Sequence, residues 1–171
     1  VPTTTLTIGG SSAATSGSLI KRGGGALRFT DKQWYSGSTG IEGGTLELWG
    51  SGAELSASQA VTVGTNATLS LVAAGMIADH IANTATVLLD GSGAECGRCV
   101  VDHNEVIAGL IVDGIPQGAG TYGSSDSPAA NTNDAYFGGA GMLIIPSPIV
   151  KDNNTVDLNL GASWVGGVVP G

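Results

Sequence analysis

Apolar and polar residues alternate along this chain in short runs, and the runs recur. Gly25-Ala26-Leu27-Arg28-Phe29 and Gly44-Thr45-Leu46-Glu47-Leu48 share one order: glycine, small, apolar, charged, apolar. Related runs are Thr5-Leu6-Thr7-Ile8, Ala67-Thr68-Leu69-Ser70-Leu71, Gly141-Met142-Leu143-Ile144-Ile145 and Thr155-Val156-Asp157-Leu158-Asn159-Leu160. Thr86-Val87-Leu88-Leu89 and Gly109-Leu110-Ile111-Val112 are looser members. One leucine from each gives positions 6, 27, 46, 69, 88, 110, 143 and 158, with gaps of 21, 19, 23, 19, 22, 33 and 15. A period of two within each run predicts strands. The Gly, Asn, Asp and Ser clusters between runs predict turns. Only residues 74–84 carry a faint helical pattern.

A spacing near twenty residues, held over several short strands, is the mark of a solenoid. The expected fold is all-β: a right-handed parallel β-helix of about seven to eight rungs over residues 1–160. Leu27 and Phe29 should point inward, with Leu46 and Leu48 and then Leu69 and Leu71 stacked on them. Arg28 should lie beside Glu47 on the outer face. The competing architecture is an antiparallel β-sandwich with a strand every 8–12 residues. Ile41, Val61-Thr62-Val63 and Ile77 supply the intermediate strands that it needs. The 33-residue gap between Leu110 and Leu143 is too long for one rung. It predicts a loop insertion near 115–139, with residues 120–139 leaving the cylinder and Pro128 outside any central strand. Residues 161–171, GASWVGGVVPG, read as a glycine-rich tail or a junction to a following module or subunit.

Composition sharpens this picture. Of the 171 residues, 42% are hydrophobic but only 5% aromatic, and 29 are glycine. The core must therefore be built from small and branched aliphatic side chains. No run of 18 apolar residues occurs, so no membrane insertion of this segment is expected. The net charge of −8 disfavours nucleic acid as a partner. Residues 1–35 hold four bases and one acid, and residues 36–171 hold two bases and thirteen acids. Neither terminal pattern reads as a solenoid cap. Together these features predict contact with further copies, head to tail, or with flanking modules of a longer chain.

Residues 19–48 resemble the autotransporter-associated β-strand repeat. Leu19, Lys21, Gly23, Gly25, Leu27 and Phe29 match its first part, Tyr35, Gly37, Thr39 and Ile41 its second, and Gly44, Leu46 and Leu48 its close. Residues 106–145 are similar to the segment that closes such β-helical modules in very long surface proteins of Verrucomicrobia-like bacteria. There a DG…Q…GTYG run leads into a Phe-Gly-Gly-x-Gly-x-Leu strand. The resemblance implies a secreted or cell-surface β-helix serving as passenger, stalk or adhesin, and it implies no catalytic residues.

Candidate chemistry is sparse. In a secreted chain, Cys96 and Cys99 are expected to form a local disulfide that clips a turn. Free thiols, or a metal or redox pair, are the other readings. Asp79-His80 and Asp102-His103 are acid–histidine pairs, but no nucleophile elbow accompanies them, so solvated turn residues are expected. Asp113, Asp126 and Asp134 lack the ordered nonapeptides of calcium-binding solenoids. Gly23–Gly25 lack the Lys-Ser/Thr that would follow in a phosphate loop. Trp34, Tyr35 and Trp49 are the candidates for a sugar-stacking surface, against the reading that they cover a corner. The expectation is a non-enzymatic structural module without cofactor or metal, with a glycan-binding adhesin as the alternative.

Overall fold

The structure is a computed structural model, and it describes residues 4–76 and 78–148. Three rows of strands run along one axis. The first sheet stacks β1 (Thr5–Ile8), β3 (Ala26–Phe29), β5 (Gly44–Trp49), β7 (Ala67–Val72), β9 (Arg98–Val101) and β15 (Phe137–Gly138), all parallel. The second stacks β2 (Leu19–Lys21), β4 (Thr39–Ile41), β6 (Ala60–Val63), β8 (Thr86–Leu89) and β11 (Gly109–Val112), again parallel. The third side begins as single bridges, Thr15 to Tyr35, Gln33 to Leu55 and Leu55 to Ile81. It widens into β10 (Asn104–Val106) paired in parallel with β16 (Met142–Ile145). The described residues thus form a β-solenoid of about five turns.

Parallel pairing throughout the first two rows excludes the β-sandwich. The turn count is lower than the seven to eight expected from the leucine series. The reason is that the series mixes faces. Leu6, Leu27, Leu46 and Leu69 share the first sheet, but the next member there is Cys99. Leu88 and Leu110 lie on the second sheet, where Leu110 aligns with Val87 and Leu88 faces outward. Leu143 lies on the third. Residues 74–76 and 78–84 form turns and a bridge, and the described residues hold no helix beyond the short 3-10 turn Gly93–Glu95.

The inward stack is as expected for Phe29, Leu46, Leu48, Leu69 and Leu71, all buried. Leu27 is only half-buried, packed against the core, because the turn before it offers Leu6, itself 63% exposed. Each fully buried leucine contributes roughly 1.5–3 kcal/mol of burial free energy. Gly44 makes the tight step between turns. Its φ is +64°, and a Cβ there would run into the Gly25 carbonyl, so only glycine fits.

Lys21 completes the corner. It is 8% exposed, and its ammonium donates to the carbonyls of Arg22 (3.0 Å), Gly23 (2.7 Å) and Gly43 (2.9 Å). Lys21 is therefore an internal clamp for carbonyls that the corner would otherwise leave unpaired.

Chain direction reverses at the C-terminal end. Asp113 (φ 48°) and Gly114 (φ 75°) form a two-residue turn that folds β12 (Ile115–Pro116) back antiparallel on β11. β13 (Gly120–Gly123) then pairs antiparallel with β16 and carries β14 (Asn131–Thr132) on its other side. Residues 115–132 thus form short strands off the parallel rungs rather than a plain loop, but Phe137–Gly138 rejoin the first sheet beside β9, so the expectation that all of 120–139 leave the cylinder is not met. Tyr122 and Ser124 are buried, and Pro128 lies outside every strand. The alternating run Thr155–Leu160 and the tail 161–171 lie outside the described residues.

Candidate functional site

The N-terminal turn presents an unpartnered edge among the described residues. All four residues of β1 are exposed. Ile20 on β2 is 53% exposed and Ile8 39%. Between the two strands lies a hollow of about 460 Å³ lined by Leu6, Ile20, Lys21, Ala26 and Leu27 among others. Among the described residues β1 pairs on one side only, with β3, and its other row of backbone N–H and C=O groups faces away from that sheet, the kind of edge that takes a strand. The opposite end of the second sheet is closed by antiparallel β12.

The basic residues near this end are not free charge. Arg22 pairs with Glu42, Arg28 with Glu47 and Lys32 with Glu54, each one turn along. Arg28 and Glu47 are register partners, as expected. Lys21 is spent on carbonyls. The excess of bases in residues 1–35 is therefore matched within the solenoid, and backbone pairing rather than net charge is what this end offers a partner.

The aromatic trio does not form one surface. Tyr35 is buried, its hydroxyl 2.7 Å from Thr39 Oγ1, which lies 3.0 Å from Ser58 Oγ. Burial pushes its pKa up to about 12. Trp34 and Trp49 are exposed, but Lys32 Nζ lies 4.9 Å from the Trp34 ring centroid and Arg28 4.3 Å from that of Trp49. One face of each ring is already occupied by a cation.

Cys96 and Cys99 are free thiols, not the disulfide expected. Strand geometry explains this. Cys99 aligns with Leu69 and Phe137 in the inward row, while the Cys96 thiol donates to the Ala135 carbonyl at 3.0 Å. Burial, with Glu105 nearby, drives the Cys99 thiol far up in pKa, so it is an inert core group. Asp113, Asp126 and Asp134 are not gathered into a cluster. Asp134 instead accepts from Ser125 N and Oγ at 2.7 and 2.9 Å.

One cluster does assemble, and the sequence expectation missed it. His80 and His103, read as solvated turn residues, meet on the third side of the solenoid with their rings edge to face at 4.7 Å. His80 is fully buried, and Glu105 is 1% exposed. His80 Nε2 lies 3.0 Å from the Gly50 carbonyl. A carbonyl only accepts, so Nε2 carries the proton and Nδ1 presents its lone pair. That Nδ1 lies 3.3 Å from His103 Nε2, which lies 2.7 Å from Glu105 Oε2. His103 Nδ1 lies 3.0 Å from Asp102 Oδ1. The Glu105 carboxylate also accepts from the backbone N–H of Ile81 (2.8 Å) and His80 (3.1 Å), extending the third row where regular pairing is absent.

Environment separates the two histidines. Burial pulls His80 down to about 4, so it is neutral. Burial also opposes charge on His103, but the carboxylates of Glu105 and Asp102 outweigh it and raise its pKa. Burial raises Glu105 despite its donors. Asp102, which burial alone would raise, is held low by the Ala73 N–H and by His103. The available signal was spacing: 103 minus 80 is 23, one turn of the repeat, which brings the two histidines together, whereas Asp79 stays exposed outside the cluster.

Comparison of this chain with protein-family models, with curated proteins and with solved structures finds no match. No helix among the described residues is long and apolar enough to cross a membrane.

Proposed function

We propose that this chain is a structural, non-enzymatic module of an extracellular bacterial fibre, filament or surface stalk, joined end to end to further copies or to flanking modules. The observation that carries this reading is the edge of β1: four exposed strand residues beside exposed Ile20, over a hollow that exposes the first core layer. The antiparallel β12 makes the last described turn a poor match for rung-on-rung stacking. The occupant is accordingly an extended segment added as a strand. The winding is right-handed, as parallel crossover connections are. The extracellular setting rests on the repeat resemblance of residues 19–48. A glycan-binding adhesin is the second reading, and it is weakened by the burial of Tyr35 and the cations seated on Trp34 and Trp49.

Sedimentation of the wild-type chain and of Leu6→Lys, across a concentration series at low and high salt, tests the proposal. The wild type should assemble in both salts, because strand pairing is little screened, and Leu6→Lys should stay monomeric. A wild type that is monomeric at every concentration would overturn joining between copies and leave only flanking modules of a longer chain.

A further inference from the structure

His80, His103 and Glu105 do more than fill a buried polar gap. Their donor atoms, His80 Nδ1, His103 Nε2 and one Glu105 oxygen, all lie within 4.8 Å of one another. Donors on a tetrahedral zinc ion, at metal–nitrogen distances of about 2.0–2.1 Å, stand roughly 3.3 Å apart. The two ring nitrogens are already 3.3 Å apart. The far side of each ring is equally telling. Metal-bound histidines are held by a carboxylate or a backbone carbonyl on the nitrogen that does not ligate. Here Asp102 holds His103 Nδ1 and the Gly50 carbonyl holds His80 Nε2, each at 3.0 Å. Glu105 is fixed by two backbone N–H groups. Both rings are thus turned so that their free nitrogens point at one place, in a setting that excludes most water.

We propose that this is a binding site for one zinc-like divalent transition ion, with His80 Nδ1, His103 Nε2 and a Glu105 oxygen as ligands. In the metal-free geometry the cation at that place is the proton on His103 Nε2, facing a carboxylate and a lone pair. The metal replaces it and the proton leaves to solvent. Three protein ligands leave the fourth position to a water, reached from the side where His103 is 12% exposed. The ion ties the fourth turn, which carries His80, to the fifth, which carries His103 and Glu105. Hard ions such as Mg²⁺ and Ca²⁺ are poor occupants, because two of three ligands are imidazoles. Asp102 acts as a positioning residue. The site does not depend on the end-to-end reading.

The test is titration of the full metal-stripped chain with Zn²⁺ against a competing chelator, and with Co²⁺ followed by visible absorption. One ion per chain is expected, with a four-coordinate Co²⁺ spectrum free of thiolate charge transfer and no response to Mg²⁺. His103→Gln should abolish binding, and Asp102→Asn should weaken it by about 10–100-fold, both with the wild-type β circular dichroism. The absence of stoichiometric binding by the wild type, binding that survives in folded His103→Gln, or a thiolate band implicating Cys96 or Cys99 would each overturn the proposal.

Discussion

Lys21 donates to the carbonyl of Gly43, one turn further along, at 2.9 Å from inside the wall of the solenoid. One ammonium thereby closes its own corner and pins it to the next. Clamp and core leucines together set which residues of the repeat are structural and which are free to vary.

Lys21→Met keeps the aliphatic stem but removes the donor. The carbonyls of Arg22, Gly23 and Gly43 then lose a shared charged partner, and a loss of about 1–3 kcal/mol is expected. Urea denaturation measures it, and a variant with the wild-type midpoint would show that water satisfies those carbonyls equally well.

Leu46 and Glu47 are neighbours in sequence and face opposite ways. Leu46→Ala should cost about 2–5 kcal/mol, because Leu27 and Leu69 flank it in register and the cavity cannot close. Glu47→Ala loses only a partly exposed ion pair with Arg28, worth about 1 kcal/mol or less. Equal costs at the two positions in a denaturation series would contradict the inward register.

Gly114 and Gly24 both have open space where a Cβ would stand, but only Gly114 has a positive φ, +75°. Gly114→Ala should therefore cost about 1–2 kcal/mol through backbone conformation alone, and Gly24→Ala should be close to neutral. Thermal unfolding of the pair isolates the turn that reverses the chain at β12.

The strands of the first sheet were legible because one face is buried and the other wet, which writes a period of two into residues 26–29, 44–49 and 67–72. The Arg28–Glu47 pairing follows from the same register. The third side was legible at Met142–Ile145 but not in its earlier turns. There it is held by single bridges at Tyr35, Leu55 and Ile81, and one paired residue leaves no alternation to read. The number of turns was misjudged for a related reason: Leu88 and Leu110, 22 residues apart, repeat at nearly the interval of Leu46 and Leu69, 23 apart, but belong to another face. The reversal at β12 did have a signal, Val112-Asp113-Gly114-Ile115, in which Asp-Gly between apolar residues marks a two-residue hairpin. The meeting of His80 and His103 needed the period to be applied to polar residues as well as to leucines.

Negative-stain electron microscopy of the concentrated 171-residue chain shows directly whether copies join end to end. Unbranched rods that lengthen with concentration are expected for the wild type, and single particles for Leu6→Lys at the same concentrations. Single particles for the wild type throughout, or rods that persist unchanged in Leu6→Lys, would contradict assembly through the edge of β1.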